Sequence, residues 1–351
     1  MVNYRNAHIG DFEKIVLFNE KIFPFIPSQS EYLKYRLLDN PNSNSLESVY
    51  ICLNDDKIVG QSITLPEKFA FKNKIYPGYW GQDYFVDEEY RKFGIGIGLA
   101  KLFIKKDYYF GMNASTNALK LQQKLGCKII GELNFFYKPT SYYHIVKFLF
   151  HRFFKIKNPS LHQYNFPDQL NFSHYENQNF RLITNIDDFV INTPQWNEEI
   201  IETLRDKDFM SWRFLHKKNR YYIYQSTIHT DQNNPSFFVV RPVRWKAVNC
   251  LMLVDYRYDL NNPSELQTII NSVTKLSEKL NLFAIITSSS LTACNNILFN
   301  NNFKKLSSTS VFSTFSKHIT IEPSDTNTEF QLSYADSDAE YYFGTNKFVY
   351  D

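Results

Sequence analysis

Short apolar segments alternate along the chain with segments of helical periodicity, a pattern that is typical of an α/β protein. Two apolar segments, Ser48–Leu53 and Ile58–Leu65, flank the polar turn Asn54–Lys57 and predict a β-hairpin. Further along, the pattern predicts strands at Tyr84–Val86, Tyr108–Asn113 and Lys128–Lys138, and an amphipathic helix over Ala118–Cys127 that closes at Gly126.

The second half of the chain repeats this order of elements. Glu31–Leu38 aligns with Asp208–Leu215, since both have the order acidic, aromatic, aliphatic, variable, aromatic, Arg, apolar, Leu. After Asp208–Leu215 the pattern predicts strands at Arg220–Ile228 and Phe237–Tyr258, a helix Pro263–Leu280, a strand Leu282–Thr287, a helix Leu291–Asn301 and a strand that begins at Phe303. We interpret this agreement as a duplication.

The segment between the two copies has its own pattern. Tyr142–Lys157 predicts an apolar helix with basic residues at helical spacing on one side. We expect it to pack between the domains with that side in solvent, although an interfacial membrane helix would show the same pattern. Residues 158–180 are predicted to form an ordered crossing loop.

Glycines cluster directly after the predicted strand Tyr84–Val86. Of the chain's 11 glycines, Gly94, Gly96 and Gly98 fall within five residues, at a predicted strand-to-helix junction. Glycine at such a junction lets backbone N–H groups approach a ligand, and the helix N-terminus adds unpaired donors and a partial positive charge. The segment therefore predicts a phosphate or pyrophosphate site.

The spacing of these glycines excludes two common phosphate loops. A P-loop requires Gly-Lys-Ser/Thr, but Gly98 is followed by Leu99. The dinucleotide fingerprint requires Gly-x-Gly-x-x-Gly and an acidic residue about 20 residues later, and neither is present. A glycine-rich turn that only packs against a helix remains an alternative from the loop alone.

Arg91, Gly94 and Gly96 match the pattern Arg/Gln-x-x-Gly-x-Gly/Ala. The segment thereby resembles the coenzyme A pyrophosphate loop of the GNAT acyltransferases, and the elements of residues 1–138 follow the order of that family. Two positions depart from it. Where the family helix often carries a Tyr that protonates the leaving thiolate this chain has Gln122, and where Phe is usual it has Cys127.

The resemblance implies an α/β protein with two GNAT-like domains, each a mixed twisted sheet flanked by helices. Residues 1–138 would bind acyl-CoA, 139–200 would form a helical and loop connector, and 201–351 would be a degenerate copy that shapes the acceptor site. The second copy has Asp255–Pro263, without any glycine, where the first has its loop. We therefore expect a single coenzyme A site.

The resemblance also implies roles for individual residues. A backbone N–H of Phe85 or Val86 would bind the thioester oxygen, and Asp83 is the candidate base, unless it only hydrogen-bonds a neighbouring loop. The pyrophosphate would be bound mainly by backbone N–H groups of Arg91, Lys92, Phe93, Gly94, Ile95, Gly96 and Ile97, with Asn113 and Ser115 on the pantetheine arm.

Composition narrows the class of protein further. With 351 residues, 43% hydrophobic and 21% charged, the chain is long enough for two domains with cores of their own. A net charge of +3 gives no electrostatic argument for a nucleic-acid partner. Four scattered cysteines without zinc spacing, no apolar run of membrane-spanning length and no leader pattern predict a cytoplasmic protein with reduced thiols and no metal. Asp336 and Asp338 are expected in a solvated tail.

The layout is similar to that of tandem-GNAT sugar N-acyltransferases of the FdhC type. This implies transfer of an acetyl or 3-hydroxybutyryl group to the amino group of a dTDP-linked amino-deoxy sugar, in the biosynthesis of a surface polysaccharide such as lipopolysaccharide. Arg241, Arg244 and Trp245 are candidates for binding the diphosphate and stacking on the base, or they form a plain surface strand. The alternatives are a peptidoglycan-type aminoacyltransferase, a protein or small-amine N-acetyltransferase, and a non-enzymatic sensor of acyl-CoA.

Overall fold

The computed structural model describes residues 2–24, 28–43, 45–106, 108–112, 114–140, 146, 179–215, 221–228, 234–245, 248–315 and 329–336. Fourteen strands form one continuous sheet. In chain order they are β1 Val2–Asn6, β2 Val49–Asn54, β3 Lys57–Phe71, β4 Lys74–Val86, β5 Tyr109–Met112, β6 Lys128–Pro139, β7 Phe180–Ile183, β8 Ile201–Thr203, β9 Tyr222–Ser226, β10 Phe237–Trp245, β11 Val248–Arg257, β12 Ala284–Ser289, β13 Lys304–Thr314 and β14 Phe330–Gln331.

Helices lie on both faces of this sheet. They are α1 Phe12–Ile22, α2 Gln29–Leu37, α3 Ile95–Phe103, α4 Thr116–Lys124, α5 Lys207–Phe214, α6 Pro263–Lys279 and α7 Thr292–Asn300. Short 3-10 turns occur at Ile9–Asp11, Glu88–Phe93, Ile186–Asp188 and Tyr334–Asp336. None of the helices in the described part of the chain is long and apolar enough to cross a bilayer.

The strand order relates the two copies to each other. Across the sheet the order is β1-β2-β3-β4-β5-β13-β6-β12-β11-β10-β9-β7, and β8 and β14 pair outside this path. β13, from the end of the chain, therefore lies beside β5, while β6 lies beside β12. Each half of the sheet contains a strand from the other copy, so the predicted segments 1–138 and 201–351 share one sheet. Strand pairing across such a distance leaves no local signal in the sequence.

The alternation of side chains along the strands divides the core by face. On one face a single cluster runs across both halves and includes Ile51, Leu65 and Met252, with α1, α2 and α5 packed on it. On the opposite face, α3 covers a cluster in the first half and α6 and α7 cover another in the second. The helices that carry the sequence repeat, α2 and α5, thus share the common face.

Aligned residues of the repeat contact each other at the centre of that face. The rings of Tyr35 and Trp212 stack with centroids 5.3 Å apart. The indole N–H of Trp212 donates to the carbonyl of Tyr35 at 3.0 Å, and the Tyr35 hydroxyl donates to the carbonyl of Trp212 at 3.3 Å. This near-symmetric contact supports the interpretation of the repeat as a duplication.

Most predicted elements are present within a few residues of their expected bounds. One is wrong: Phe237–Tyr258 is two antiparallel strands, β10 and β11, rather than one long strand. The sequence has no glycine at the point where the chain reverses between β10 and β11, so the pattern gave no turn signal. The predicted helix Tyr142–Lys157 and loop 158–180 lie almost entirely outside the described residues.

Candidate functional site

A gap opens in the first half of the sheet between β4 and β5. These parallel strands pair only where Tyr79–Gly81 faces Tyr109–Gly111. Beyond Gly81, β4 continues to Val86 with half-exposed residues, of which only the Asp83 side chain is buried, whereas β5 ends at Met112. We call the gap beside residues 82–86 the first wedge. Among the described residues no strand pairs with this side of β4 beyond Gly81, so its backbone groups can bind a ligand.

A β-bulge lies at the mouth of the first wedge. Ile63 pairs with Gln82 and Gln61 pairs with Phe85, so β4 has one more residue than β3 in this interval. The extra residue is accommodated at Asp83, whose φ of 46° is in the left-handed region that Asp tolerates. The bulge bends β4 where it leaves β5. The sequence does not reveal it, because no glycine marks the position.

Asp83, the predicted base, is one partner of a buried ion pair. Its carboxylate accepts a hydrogen bond from Arg36 at 2.8 Å, and both side chains are at most 7% exposed. Arg36 also donates to the hydroxyl of Tyr32 at 2.9 Å. Asp83 thus ties α2 to the bulge and is the negative partner of a buried guanidinium.

The register of β3 and β4 distinguishes between the two predicted thioester donors. The N–H of Asp87 donates to the carbonyl of Val59 at 2.9 Å, and Phe85 faces Gln61 two residues earlier. Antiparallel alternation then directs the Phe85 N–H towards β3 and the Val86 N–H away from it, into the first wedge. The Val86 carbonyl is on the same side, since it accepts from the Arg91 guanidinium at 3.2 Å. The register favours Val86 as the donor.

The predicted pyrophosphate loop follows directly. Glu88–Phe93 forms a 3-10 turn, and Gly94, with φ of 73°, precedes the first turn of α3. A Cβ added at Gly94 would meet no heavy atom within 4 Å, so the backbone here faces open space. The first helical bond runs from the N–H of Gly98 to the carbonyl of Gly94, which leaves the N–H groups of residues 95–97 without intrahelical partners. Three donors therefore point from the end of α3 beside the first wedge.

The other two glycines of the loop have packing roles. A Cβ at Gly96 would lie 2.9 Å from the Tyr84 hydroxyl, which donates to the Gly96 carbonyl at 2.6 Å. This bond fixes the start of α3 against β4, and burial raises the pKa of Tyr84 to about 12, so the phenol keeps its proton at neutral pH. A Cβ at Gly98 would come within 2.4 Å of the Tyr4 ring. Gly98 therefore permits contact with β1 rather than with a ligand.

Side chains around the loop combine charge with apolar surface. The Arg91 side chain is 54% exposed and its guanidinium lies over the Phe85 ring, 5.3 Å from the centroid. Lys92 is exposed as well. Phe93 and Ile97 are 63% and 43% exposed, which is high for large apolar residues. This surface suits a ligand that is anionic in one part and apolar in another.

The opposite wall of the first wedge is the start of α4. Ser115 is exposed and caps α4, since its hydroxyl accepts from the N–H of Ala118 at 3.3 Å. Leu121 lies 3.6 Å from the Cβ position of Gly96, so α4 and α3 flank the same space. Gln122 is buried, and its side-chain oxygen has no hydrogen-bond partner among the described residues. Asn113 lies outside those residues.

A small pocket lies on the common face, beside the bulge and between α2 and α5. It has about 40 Å³ of space, enough for about three water molecules. We call it the central pocket. Both halves of the chain line it, with Tyr35, Arg36, Glu67, Trp80 and Gln82 from the first and Arg213 and Asp336 from the second among the lining residues.

Glu67 is the residue of this pocket that the sequence analysis missed. It is on β3, 6% exposed, and accepts a 3.4 Å hydrogen bond from Asn42. Burial raises its pKa to about 8, an effect that Arg205 and Arg213 oppose. A carboxyl group with a pKa near neutrality in a pocket is a candidate for proton transfer. The one available signal was a carboxylic acid two residues after Leu65, at an inward position of β3.

Of the candidate acceptor residues, Arg241 is linked to the lining of this pocket. Tyr221 accepts hydrogen bonds from both Arg213, at 3.4 Å, and Arg241, at 3.3 Å. Arg241 is thus connected through Tyr221 to the pocket lining. Arg244 and Trp245 are at the end of β10, paired with Asn249 and Val248, and their side chains are outside what the structure describes.

The second half contains the counterpart of the first wedge. β11 and β12 are parallel and pair where Cys250–Met252 faces Ala284–Ile286. Beyond that point, residues 329–336 are bound to β11 and to Ser290, which directly follows β12. Gln331 donates to the carbonyl of Tyr256 at 3.1 Å, and the Ser290 hydroxyl hydrogen-bonds the carbonyl of Phe330. We call this filled gap the second wedge.

Buried charges close the second wedge. Arg205 contacts Asp255 and Asp336, both at 2.6 Å, and Arg257 contacts Asp255 at 2.7 Å; all four side chains are completely buried. The prediction of a solvated tail is therefore wrong for Asp336. Although burial opposes it, Arg205 and Arg257 hold the pKa of Asp336 below its usual value. Distant charges neutralise one another here, which the local sequence does not show. Asp338 lies outside the described residues.

The helix after β11 also lacks a free anion site. Pro263 occupies the first turn of α6, and Glu265 in that turn accepts a hydrogen bond from the N–H of Asp259 at 3.2 Å. A carboxylate of the chain itself thus occupies the positive end of this helix. The absence of glycine in Asp255–Pro263 corresponds to a junction without room for a phosphate. Within the described ranges, no group of three or more His, Cys, Asp or Glu side chains is placed to bind a metal ion.

Comparison with solved structures assigns the architecture. A GCN5-related N-acetyltransferase from Anabaena variabilis superimposes with a TM-score of 0.56 at 14% identity, over 89% of this chain and 72% of that one. The chain has the fold of the GCN5-related N-acetyltransferases. A probable N-acyltransferase from Enterococcus faecalis gives 0.56 at 10% identity (90% and 73% coverage), and Saccharomyces cerevisiae N-myristoyltransferase with bound myristoyl-CoA gives 0.54 at 11% (89% and 82%). No protein-family model and no curated protein sequence matches the chain.

In this GNAT fold, the mixed twisted sheet flanked by helices agrees with the predicted fold class. The first wedge, the loop at Arg91–Ile97 and the start of α3 are adjacent in this fold.

Proposed function

We propose that the protein is an N-acyltransferase that moves an acyl group from acyl-CoA to an amine. The observation that carries this proposal is the first wedge, an open gap in the sheet. It leads to a glycine loop at a helix N-terminus, where the backbone of Gly94 faces open space. Backbone N–H groups of residues 95–97, with Arg91 and Lys92 beside them, would bind the pyrophosphate. The exposed Phe93 and Ile97 would contact apolar parts of the cofactor.

The thioester would then lie along β4. The N–H of Val86 is the donor that the register favours for the oxyanion formed when the amine attacks the carbonyl carbon. The C–S bond breaks with its electron pair on sulfur. A thiolate is a stable leaving group near neutral pH, so Gln122 in place of a tyrosine is compatible with turnover. Ser115 and Asn113 are proposed to contact the pantetheine arm.

The acceptor would approach from the common face, beside the central pocket. Arg213 and Arg241, which meet at Tyr221, supply positive charge there, as a diphosphate would require. We propose a dTDP-linked amino-deoxy sugar as the acceptor, with its diphosphate near Arg241 and Arg244 and its base on Trp245. The acyl group would be acetyl or 3-hydroxybutyryl, and the setting the cytoplasmic synthesis of a surface polysaccharide.

The direct test is a measurement of free thiol release. The protein is incubated with acetyl-CoA or 3-hydroxybutyryl-CoA and a panel of dTDP-linked amino-deoxy sugars, with aminoacyl-tRNA, a lysine-rich peptide and simple amines as competing acceptors. Release that depends on the dTDP-amino sugar supports the proposal. Turnover with tRNA, the peptide or simple amines alone would replace the sugar by that acceptor class, and no turnover with any amine would refute an acyltransferase.

The donor site has a test of its own. Gly94→Glu adds a carboxylate and a side chain where the backbone faces open space at positive φ. Acyl-CoA binding measured by calorimetry should be lost, while Gly131→Ala, at a glycine that also faces open space but lies on β6, should bind normally. Unchanged binding by the Gly94 variant would show that the loop does not bind the cofactor.

A further inference from the structure

The central pocket is lined by buried polar atoms that the protein itself does not bind. The indole N–H of Trp80, the hydroxyl of Thr203 and the side-chain oxygen of Gln82 have no hydrogen-bond partner among the described residues. All three residues line the pocket, and Trp80 and Thr203 are only 4% and 2% exposed. Because buried polar atoms without partners are costly, three of them around one cavity indicate that a polar group binds there.

The chemistry of these three atoms matches a hydroxyl group. The Trp80 indole can only donate a hydrogen bond, the Gln82 oxygen can only accept one, and the Thr203 hydroxyl can do either. A hydroxyl group of a ligand donates and accepts at the same oxygen, so it can satisfy a donor and an acceptor together. The pocket has room for about three water molecules, which is enough for a hydroxyl and the carbon atoms next to it but not for a whole sugar ring.

The charged side chains of the pocket favour a neutral group over an ion. Both signs are present in the lining, with Arg36 and Arg213 on one side of the balance and Glu67 and Asp336 on the other. An anion would meet the two carboxyl groups and a cation would meet the two guanidinium groups, in a buried place where such repulsion is poorly screened. The remaining walls are apolar or aromatic and suit the carbon atoms that carry a hydroxyl.

The strand register gives the distance from the pocket to the proposed thioester site. Of the lining residues, Gln82 and Trp212 are half-exposed and the others are buried, so the pocket opens at Gln82, the first residue beside the first wedge. On β3, the partners of Val86, Gln82 and Trp80 are residues 60, 63 and 65. A hydroxyl in the pocket therefore lies about 10–17 Å from a thioester held at Val86, at a rise of about 3.3 Å per residue. This distance is greater than one sugar ring can span.

We propose that the central pocket binds a hydroxyl group at the end of the acceptor that is remote from its amine. In a nucleotide-linked amino sugar, the diphosphate separates the amino sugar from a pentose, and the pentose hydroxyl is the group at this distance. Arg213 in the pocket lining and Arg241 meet at Tyr221 and supply positive charge for the diphosphate between the two ends. The pocket thereby selects long acceptors that carry a hydroxyl over simple amines. This inference rests on the acyltransferase function proposed above.

The first test measures the binding of dTDP, whose deoxyribose has a 3′-hydroxyl, and of its 3′-deoxy analogue by calorimetry. Wild type should bind dTDP about 10-fold or more tightly than the analogue, which leaves the buried polar atoms without a partner. Thr203→Val replaces the hydroxyl by a methyl group of similar size and should reduce this preference. Since the Thr203 hydroxyl has no partner among the described residues, the variant should not melt lower than wild type without ligand.

Thr287→Val is the matched control. It removes a buried hydroxyl on β12 that donates to the Leu253 carbonyl at 3.1 Å, outside the lining of the central pocket. We expect this variant to melt at a lower temperature than wild type, because the lost hydrogen bond leaves the carbonyl without that donor. Its preference for dTDP over the 3′-deoxy analogue should equal that of wild type.

Turnover with acetyl-CoA and a dTDP-linked amino-deoxy sugar gives a second readout. Since the pocket is remote from the reacting atoms, Thr203→Val should raise the KM of the sugar about 10-fold and keep kcat within about twofold of wild type. Gln82→Met, which removes the amide oxygen at the opening of the pocket, should have the same effect. The KM of acetyl-CoA should stay unchanged in both variants.

The outcomes separate this inference from the proposed function. If wild type binds dTDP and the 3′-deoxy analogue equally, or if Thr203→Val and Gln82→Met both keep the preference, the pocket holds only water and the inference is wrong, although acyl transfer can still be observed. If wild type does not bind dTDP but releases thiol with another amine, the inference fails together with the nucleotide sugar. If no amine gives turnover, the acyltransferase is refuted, whereas hydroxyl-dependent binding of dTDP would still support the pocket as a hydroxyl site.

Discussion

β4 in the first half and β11 in the second are each paired to a long antiparallel neighbour on one side and, for three residues, to a short parallel strand on the other. In both halves the parallel pair then parts. Apart from the buried side chain of Asp83, residues 81–86 of β4 remain half-exposed at the first wedge. β11 is buried to its end because residues 329–336 lie in the second wedge.

The two wedges also differ in whether their charged side chains are exposed or buried. The first wedge presents backbone donors, Arg91 and Lys92 towards solvent. The second contains Arg205, Arg257, Asp255 and Asp336, all paired with one another and excluded from water. The difference shows that a parted strand pair has two stable outcomes. Its backbone and side chains are either available to a ligand or satisfied by another segment of the same chain, since buried groups without partners are costly.

Breaking the buried charges of the second wedge should have the largest effect on stability. Arg205→Met leaves Asp255 and Asp336 buried with one cation fewer, so we expect a loss of about 3–5 kcal/mol in the free energy of unfolding, measured by chemical denaturation. Arg91→Ala, at the half-exposed loop, is the matched control and should change stability by less than about 0.5 kcal/mol. Equal effects of the two variants would mean that the wedges do not differ as described.

Glu67 should make stability depend on pH in a way that the paired carboxylates do not. Its pKa is raised to about 8 in the fold, so the folded protein holds this proton over a range in which the unfolded chain has lost it. The contribution to stability is therefore greatest at low pH and is lost as pH rises towards 8, with a slope of at most about 1.4 kcal/mol per pH unit.

Glu67→Gln should abolish this pH-dependent contribution to the free energy of unfolding. The difference in melting temperature between Glu67→Gln and wild type should thus grow between pH 5 and pH 8 in favour of the variant, with Glu132→Gln as the control. A constant difference across that range would show that the Glu67 pKa is not raised.

The substitution Arg91→Ala tests ligand binding at the first wedge directly. Removal of a charged donor beside the proposed pyrophosphate site in Arg91→Ala should weaken acyl-CoA binding by about 1.5–3 kcal/mol, or roughly 10- to 140-fold, in calorimetry. Because Arg257 is buried in the second wedge, the Arg91→Ala variant should not bind acyl-CoA there even at high acyl-CoA concentration. A second, saturable acyl-CoA site would contradict the assignment of a single donor site.

Tyr84 gives the smallest expected effect. Tyr84→Phe removes the hydrogen bond to the Gly96 carbonyl and should lower stability by about 1 kcal/mol, with a similar loss of acyl-CoA affinity as the start of α3 loosens. The matched change Tyr256→Phe in the second wedge removes a 3.2 Å bond to the Ser288 carbonyl. It should lower stability comparably but leave acyl-CoA affinity unchanged, which a combined melting and calorimetry experiment will show.

Local patterns were sufficient for most elements and for the loop. The glycines at 94, 96 and 98 predicted the strand-to-helix junction before α3. Only the structure shows that Gly94 faces open space while Gly98 accommodates Tyr4. The sequence placed Asp83 near the site but not in an ion pair with Arg36, which lies 47 positions earlier. Glu67 went unnoticed because its environment comes from α2, α5 and residue 336 together.

By itself, the sequence determined most of the strands and helices, the internal repeat and the glycine loop, because hydrophobic periodicity, turn chemistry and glycine spacing are properties of neighbouring residues. Tertiary structure decided the rest. The exchange of β6 and β13, the closing of the second wedge by residues 329–336 and the raised pKa of Glu67 all depend on segments that are distant in the chain. Pairing, burial and charge neutralisation between such segments are set by packing, and no local pattern encodes them.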